Sequence, residues 1–229
     1  MKKIAVISLG GSLIVPKAGI DVQFLRRFRS FIFAHARKGW RFVIITGGGS
    51  ICRHYQAVLR SVGVKDHIAH DWIGIYTTRT NAQLLRLLFG ARAAEDVMTK
   101  PRDVHLGLFK KYAVIVAGGE KPGQTTDHVA VECALRIGAK RVVNISNVDY
   151  IYNRDPKKYP DAKKLHALSW TEFQKLFPRR HMPGAHVPFD PVATRLAKQH
   201  GLTVAFLGPN LSNVKEFLEE KKANGTIVS

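Results

Sequence analysis

RFVIITGGGSICRHY, residues 41–55, decides how the chain is read. Its apolar run Phe42–Thr46 stops at three glycines, Gly47–Gly49, and a basic segment comes next. A β-branched run without polar alternation reads as a buried strand, and the basic segment reads as a helix. The glycines make the turn between them. Glycine has no Cβ, so such a turn can bring backbone N–H groups close to an anion, and the helix start adds partial positive charge. The same signature occurs twice more, as ISLGGS (7–12) and VIVAGG (114–119). In a parallel sheet the three turns share one edge, at the carboxyl ends of the strands, where open α/β folds bind ligands. The spacing therefore points to a phosphate site.

Working outward, strands and helices alternate. Ile4–Leu9 is a first strand. Residues 22–38 carry Leu25, Phe28, Ile32 and Ala36 at helical spacing, with Gly39 as the stop. Residues 51–62 form a helix with Tyr55, Val58, Leu59 and Val62 on one face, and 77–90 a leucine-rich helix. Ala113–Ala117 is a strand, and Thr126 or Asp127 caps a helix to Ile137 with Val129, Cys133 and Ile137 inward. Val142–Ile145, a helix 191–200 opened by Pro191, Thr203–Leu207, a helix 213–222 and Thr226–Val228 complete the pattern. This is an α/β chain: a three-layer sandwich around a central, mostly parallel sheet. Residues 146–190 are rich in Pro, Lys, Asp and Tyr and read as a loop-rich second lobe packed on the first. The expected organisation is one domain, 1–229, with lobes of roughly 1–140 and 141–229.

Composition bounds the function. At 229 residues and 45% hydrophobic, the chain can bury a core. No apolar run reaches the roughly 18–20 residues of a membrane span, and the short run in MKKIAVISLGG reads as a strand and not a leader. Cys52 and Cys133 have no metal-ligand spacing and read as buried thiols of a reducing, cytoplasmic compartment. Thirty-six Lys+Arg against seventeen Asp+Glu give a net charge of +19, which favours anionic partners. The basic residues are spread along the chain without an RNA-binding aromatic signature, so nucleic acid enters only through non-specific charge.

The chain has no GxxxxGKS/T, no GxGxxG after the first strand, and no HRD or DFG. Its motifs are LGGSLIVP (9–16), GGGSICR (47–53), DWIGIYTTRTNA (71–82), GGEKPGQTTDHVA (118–130), SNVDYIYNRDPKKYPDAKKL (146–165), DPVATRLAKQHG (190–201) and NGT (224–226). In this order they resemble the amino-acid kinase superfamily, and within it the archaeal-type uridylate kinases. The resemblance implies an amino-acid kinase-like fold, phosphorylation of UMP by ATP with Mg²⁺, and a homo-oligomer, a hexamer in the family.

It also implies roles for particular residues. Ser8, Leu9, Gly10, Gly11 and Ser12 match the first ATP-phosphate turn. Gly48 matches a UMP contact, and Gly49 and Arg53 match ATP contacts. Asp71 matches the carboxylate that accepts from the UMP ribose hydroxyls, although before a helix it also reads as an N-cap. Glu120, Lys121, Pro122, Gly123, Gln124, Thr125 and Thr126 match the UMP loop, with Thr126 at the uracil edge. Ser146, Tyr152 and Asp155 match ATP contacts, and Asp127, Arg53 and Asp190 are the candidate catalytic residues. No protein metal site is expected beyond Mg²⁺ arriving with ATP.

Two departures stand out. Many superfamily kinases have a lysine at the position of Ser8, so Arg53, Mg²⁺ or a lysine from 157–164 must supply positive charge. Tyr150 takes the place of a usual glycine. The segment RRHMPGAHVPF (179–189) reads as a nucleotide clamp or a lid. A sister phosphotransferase on another small acceptor, or a basic nucleotide-sensing or nucleic-acid-binding protein on this scaffold, are the alternatives.

Overall fold

The structure, a computed structural model, describes residues 3–156, 158–177 and 188–229. Lys157 and the 179–187 part of the expected clamp lie outside these residues. The strands are β1 (Ile4–Leu9), β2 (Arg41–Thr46), β3 (Val114–Ala117), β4 (Arg141–Ile145), β5 (Ile151–Tyr152), β6 (Lys164–Leu165), β7 (Ala167–Leu168), β8 (Thr203–Leu207) and β9 (Thr226–Val228). The helices are α1 (Gly11–Ile14), α2 (Val22–Arg37), α3 (Gly49–Ser61), α4 (His67–Phe89), α5 (Thr126–Ile137), α6 (Trp170–Leu176), α7 (Pro191–Gln199) and α8 (Leu211–Leu218).

Seven strands form one sheet in the order β3-β2-β1-β4-β8-β9-β7. Only the β8–β9 pairing is antiparallel. Because strand side chains alternate, each strand feeds two cores. Ile7, Leu9, Ile44 and Val143 face the cluster under α2, α4 and α8. Val6, Val43, Ile45 and Val142 face the cluster under α5, α6 and α7. Both faces are covered, which explains why the strand sequences do not alternate with polar residues.

Several boundaries differ from the sequence expectation. α4 begins at His67, capped by Asp66, well before residue 77. Its face towards the glycine turns is built from buried Thr77, Thr78 and Asn81, which interrupt the apolar period. Asp71 consequently sits within α4 and is not a cap. α5 is capped by Thr125, whose hydroxyl accepts from His128 N, and not by Thr126 or Asp127. α8 spans Leu211–Leu218, capped by Asn210. The face of α3 bearing Tyr55, Val58 and Val62 is exposed, because α3 packs on α4 with its other side and touches the α2/α4/α8 core only through Ile51 at its start.

Residues 146–190 contain a β5–β6 hairpin, the edge strand β7, and α6 with a Ser169–Glu172 capping box. Thr226, in the NGT stretch, fastens this hairpin to the main sheet. Its hydroxyl donates to Leu165 O and accepts from Ile151 N at 2.9 Å. Tyr150 needs no glycine-like backbone, since Glu220 is the only described non-glycine residue with positive φ. The Tyr150 ring packs edge-on against His166, with Lys164 Nζ 4.8 Å from its centroid.

Candidate active site

The parallel pairing of β1, β2 and β3 brings all three glycine turns to one sheet edge. They are not equivalent there. Gly118 N donates to Met98 O and Gly119 N to Thr78 Oγ1 at 2.8 Å, so the third turn has spent its donors. Gly10 N is bonded to Ile145 O and Gly47 N to Leu9 O. The N–H groups of Gly11, Ser12, Gly48 and Gly49 have no partner among the described residues. They are the first amides of α1 and α3, where helix starts leave orphan donors and partial positive charge. The first and second turns therefore keep open amide donors at this edge, and the third does not. Leu9 can contribute only main-chain atoms, because its side chain is in the core.

Some glycines serve packing. A Cβ on Gly11 would lie 2.1 Å from Gly49 N and 2.4 Å from Gly47 C. Gly49 also has φ +70°. The first and second turns are thus in backbone contact.

Behind them lies a carboxylate cluster. Ser8 and Asn144 are on the α5 side of β1 and β4, as their two-residue offsets from Val6 and Val142 require. Ser8 Oγ and Asn144 Nδ2 both donate to Asp127 Oδ1 at 3.0 Å. Asp190, buried, caps α7 by accepting from Val192 N and Ala193 N on its Oδ1, both at 2.8 Å. Burial pushes the Asp127 carboxyl up to about 7, and the nearby Asp190 charge adds to the rise. Donors from Ser8, Asn144 and the Asp190 backbone pull it back. A lysine at position 8 would have neutralised this carboxylate; a serine only hydrogen-bonds it.

On the other flank, the loop Glu120–Thr125 leads into Thr126 and α5. Asp71 Oδ2 accepts from Gly123 N at 2.8 Å, leaving Oδ1 open. Gln124 Nε2 lies 3.3 Å from His128 Nε2, and Gln124 Oε1 is buried without a partner among the described residues. Lys121 is exposed, and Pro122 is half-buried. Arg53 is exposed on α3 and forms no hydrogen bond or ion pair among the described residues. Ser146 follows β4, its N–H bonded to Leu207 O. Tyr152 lies on β5 and Asp155 just beyond it, apart from the glycine turns in sequence but carried by the same carboxyl-end loops.

Sequence reasoning missed Thr78, Arg79 and Asn81 of α4. Thr46 Oγ1 donates to Thr78 O and Asn81 Nδ2 to Gly47 O, both at 2.8 Å. Arg79 Nε donates to Gly119 O at 3.0 Å and Nη2 to Glu120 O at 2.8 Å. It also missed Asn144. These residues lie inside motif stretches or strands, but their partners are main-chain atoms or distant side chains that no local pattern reveals. Both cysteines are free; burial raises the Cys52 thiol and pushes Cys133 up to about 12, so neither is a ready nucleophile.

An open sheet edge with two amide-lined turns, a buried carboxylate and no P-loop defines a class. Residues 3–208 match the amino acid kinase family, and the chain belongs to it. Within that family it is similar to the uridylate kinase of Thermoplasma volcanium, 35% identical over 222 residues, covering 96% of this chain and 95% of the relative. The solved uridylate kinase of Archaeoglobus fulgidus superposes with a TM-score of 0.83 at 29% identity, over 100% of both chains. The UMP kinase of Bacillus anthracis shares the fold, with a TM-score of 0.81 at 22% identity over 99% of this chain and 96% of that one.

Proposed function

We propose that this protein is an ATP-dependent UMP kinase, making UDP and ADP as a step of cytoplasmic pyrimidine nucleotide biosynthesis. The observation that carries the reading is similarity to uridylate kinases along nearly the whole chain. A UMP phosphate oxygen attacks the γ-phosphorus in line, and the bond to the β–γ bridging oxygen of ATP breaks. The acceptor is already ionised, so positioning and charge neutralisation carry the rate, without a strong base.

The roughly 1–140 lobe would bind UMP. Asp71 Oδ1 would accept from the ribose, with Glu120–Thr126 enclosing the base. The 141–229 lobe would bind the nucleoside of ATP through Ser146, Tyr152 and Asp155. Amides of Gly11, Ser12, Gly48 and Gly49 would receive phosphate oxygens, and the uncommitted Arg53 would add the charge that Ser8 lacks. Lys164 is engaged with the Tyr150 ring, which favours Arg53 over it.

The donor set fits Mg²⁺ brought by ATP. Among the described residues no group of three His, Cys, Asp or Glu could hold a metal alone. Mg²⁺ characteristically takes one or two carboxylates plus substrate phosphates, and Asp127 would be the protein's oxygen donor. When bound, Mg²⁺ supplies charge neutralisation on the phosphates.

ADP formation assayed over a panel of nucleoside monophosphates tests the reading. UMP is expected to be the preferred acceptor; turnover with another acceptor but none with UMP overturns it.

Self-association is part of the proposal. Val58 and Val62 are 58% and 69% exposed, and Ile68, Trp72 and Tyr76 on α4 extend the same kind of apolar surface. Exposed apolar patches of this kind are typical of subunit contacts. A Val58→Glu/Val62→Glu variant is expected to sediment as a smaller species than wild type. An unchanged sedimentation coefficient would exclude this face as the contact.

A further inference from the structure

We propose that Arg79, through its grip on two consecutive carbonyls, is a positioning residue that sets the acceptor loop for UMP. The inference rests on the UMP kinase reading above. The loop from Gly119 to Thr125 has little internal support: its own main-chain contact, Gln124 N to Lys121 O, is 3.4 Å long. Its fixed points come from α4. Thr78 Oγ1 holds Gly119 N, Arg79 holds Gly119 O and Glu120 O, and Asp71 holds Gly123 N.

Of these, Arg79 is the only charged donor, and hydrogen bonds from a charged group are the strong ones. A guanidinium presents its N–H groups in a fixed fork, so it sets the relative orientation of two successive peptide planes and not merely their distance. The fork is itself held from two sides. Its aliphatic stem lies under Gly118, where a Cβ would come within 2.8 Å of Arg79 Cγ, and its guanidinium carbon is 5.7 Å from the Tyr76 ring centroid. Arg79 has no acidic partner among the salt bridges of the described residues, so no carboxylate competes with those carbonyls for its N–H groups.

The peptide planes it orients lead directly into the loop that would enclose the acceptor. No atom of Arg79 need touch UMP for its loss to be felt there. The ATP side is fixed by other contacts, at β4 and the β5–β6 hairpin, so the effect should be one-sided.

The test measures UMP binding by calorimetry without ATP or Mg²⁺, together with steady-state KM for both substrates. Arg79→Ala is expected to weaken UMP binding about 10–100-fold, the loss of one or two charge-assisted hydrogen bonds. KM for ATP should stay within about twofold. Arg79→Lys, which can serve one carbonyl, should fall between Ala and wild type. If Arg79→Ala does not fold, Arg79→Gln supplies the same comparison. Unchanged UMP affinity, or equal losses for UMP and ATP, would overturn the inference. Failure of the wild-type protein to bind or phosphorylate UMP would instead remove the underlying reading, and the two failures are separable in the wild-type control.

Discussion

Asp127→Asn is expected to lose about 10²–10³-fold in turnover and yet to make the nucleotide-free protein more heat-stable above pH 7. The first effect follows from removing a negative oxygen at the centre of the proposed transfer site. The second follows from the cost of ionising that oxygen in the fold. Burial, reinforced by Asp190, lifts the carboxyl from 3.8 to about 7. The unfolded chain therefore releases this proton first as pH rises, and the native state binds more protons between the two values. Stability that is whole below about pH 4 is lost progressively as pH climbs to about 7, and it stays lost above that. At about 1.4 kcal/mol per pH unit the gap sets a ceiling of about 4 kcal/mol. Solvent reaching the open edge reduces the expectation to about 2 kcal/mol, or about 4–8 °C in melting temperature for a chain of this size. Asparagine keeps an oxygen for Ser8 and Asn144 to donate to, so the fold should persist. Melting curves at pH 5 and pH 8.5 check this, with the variant's advantage opening only at the higher pH. A variant that melts no higher than wild type at pH 8.5, or turns over within tenfold of it, contradicts the account.

Gly11→Ala should be the most damaging single methyl added to the glycine turns. The new carbon would fall 2.1 Å from Gly49 N and 2.4 Å from Gly47 C. Both are main-chain atoms of the turn between β2 and α3, so no side chain can swing away and the two turns must separate. A loss of more than about 3 kcal/mol, roughly 6–12 °C in melting temperature, is expected. Gly10→Ala is a useful contrast. Its nearest neighbour would be Ile145 O at 3.0 Å, which a few tenths of an ångström relieves. Melting within about 2 °C of wild type for Gly11→Ala would show that the turns have slack which the structure does not contain.

The sequence made the sheet edge legible because the three strand–glycine junctions are local signals. β1, β8, α2 and the Asp190–Pro191 helix start could be read the same way, from apolar runs, period and caps. α4 was harder. Thr78 and Asn81 are buried to satisfy glycine-turn backbone and Thr77 bonds back to Ile73 O within the helix, and buried polar residues look like solvent-facing ones in a sequence. Asp71 read as a cap for the same reason, since the helix actually starts at His67. The face of α3 defied the opposite rule, because apolar periodicity marks a surface that wants a partner without saying whether the partner lies in the same chain. Arg79 left no trace, since its partners are carbonyls 40 and 41 residues away. The phosphate reading of GG at 118–119 failed on hydrogen-bond accounting, which needs coordinates: its N–H groups are already taken.

The residues Thr78 to Asn81 reach both the second glycine turn and the start of the 119–125 loop. One helical turn holds Thr46 and Gly47 on one side and Gly119 and Glu120 on the other. Thermodynamic linkage then imposes a symmetry on any communication through it. Whatever factor ATP applies to the affinity for UMP, UMP must apply to the affinity for ATP. A crossbar of this kind cannot be a one-way relay.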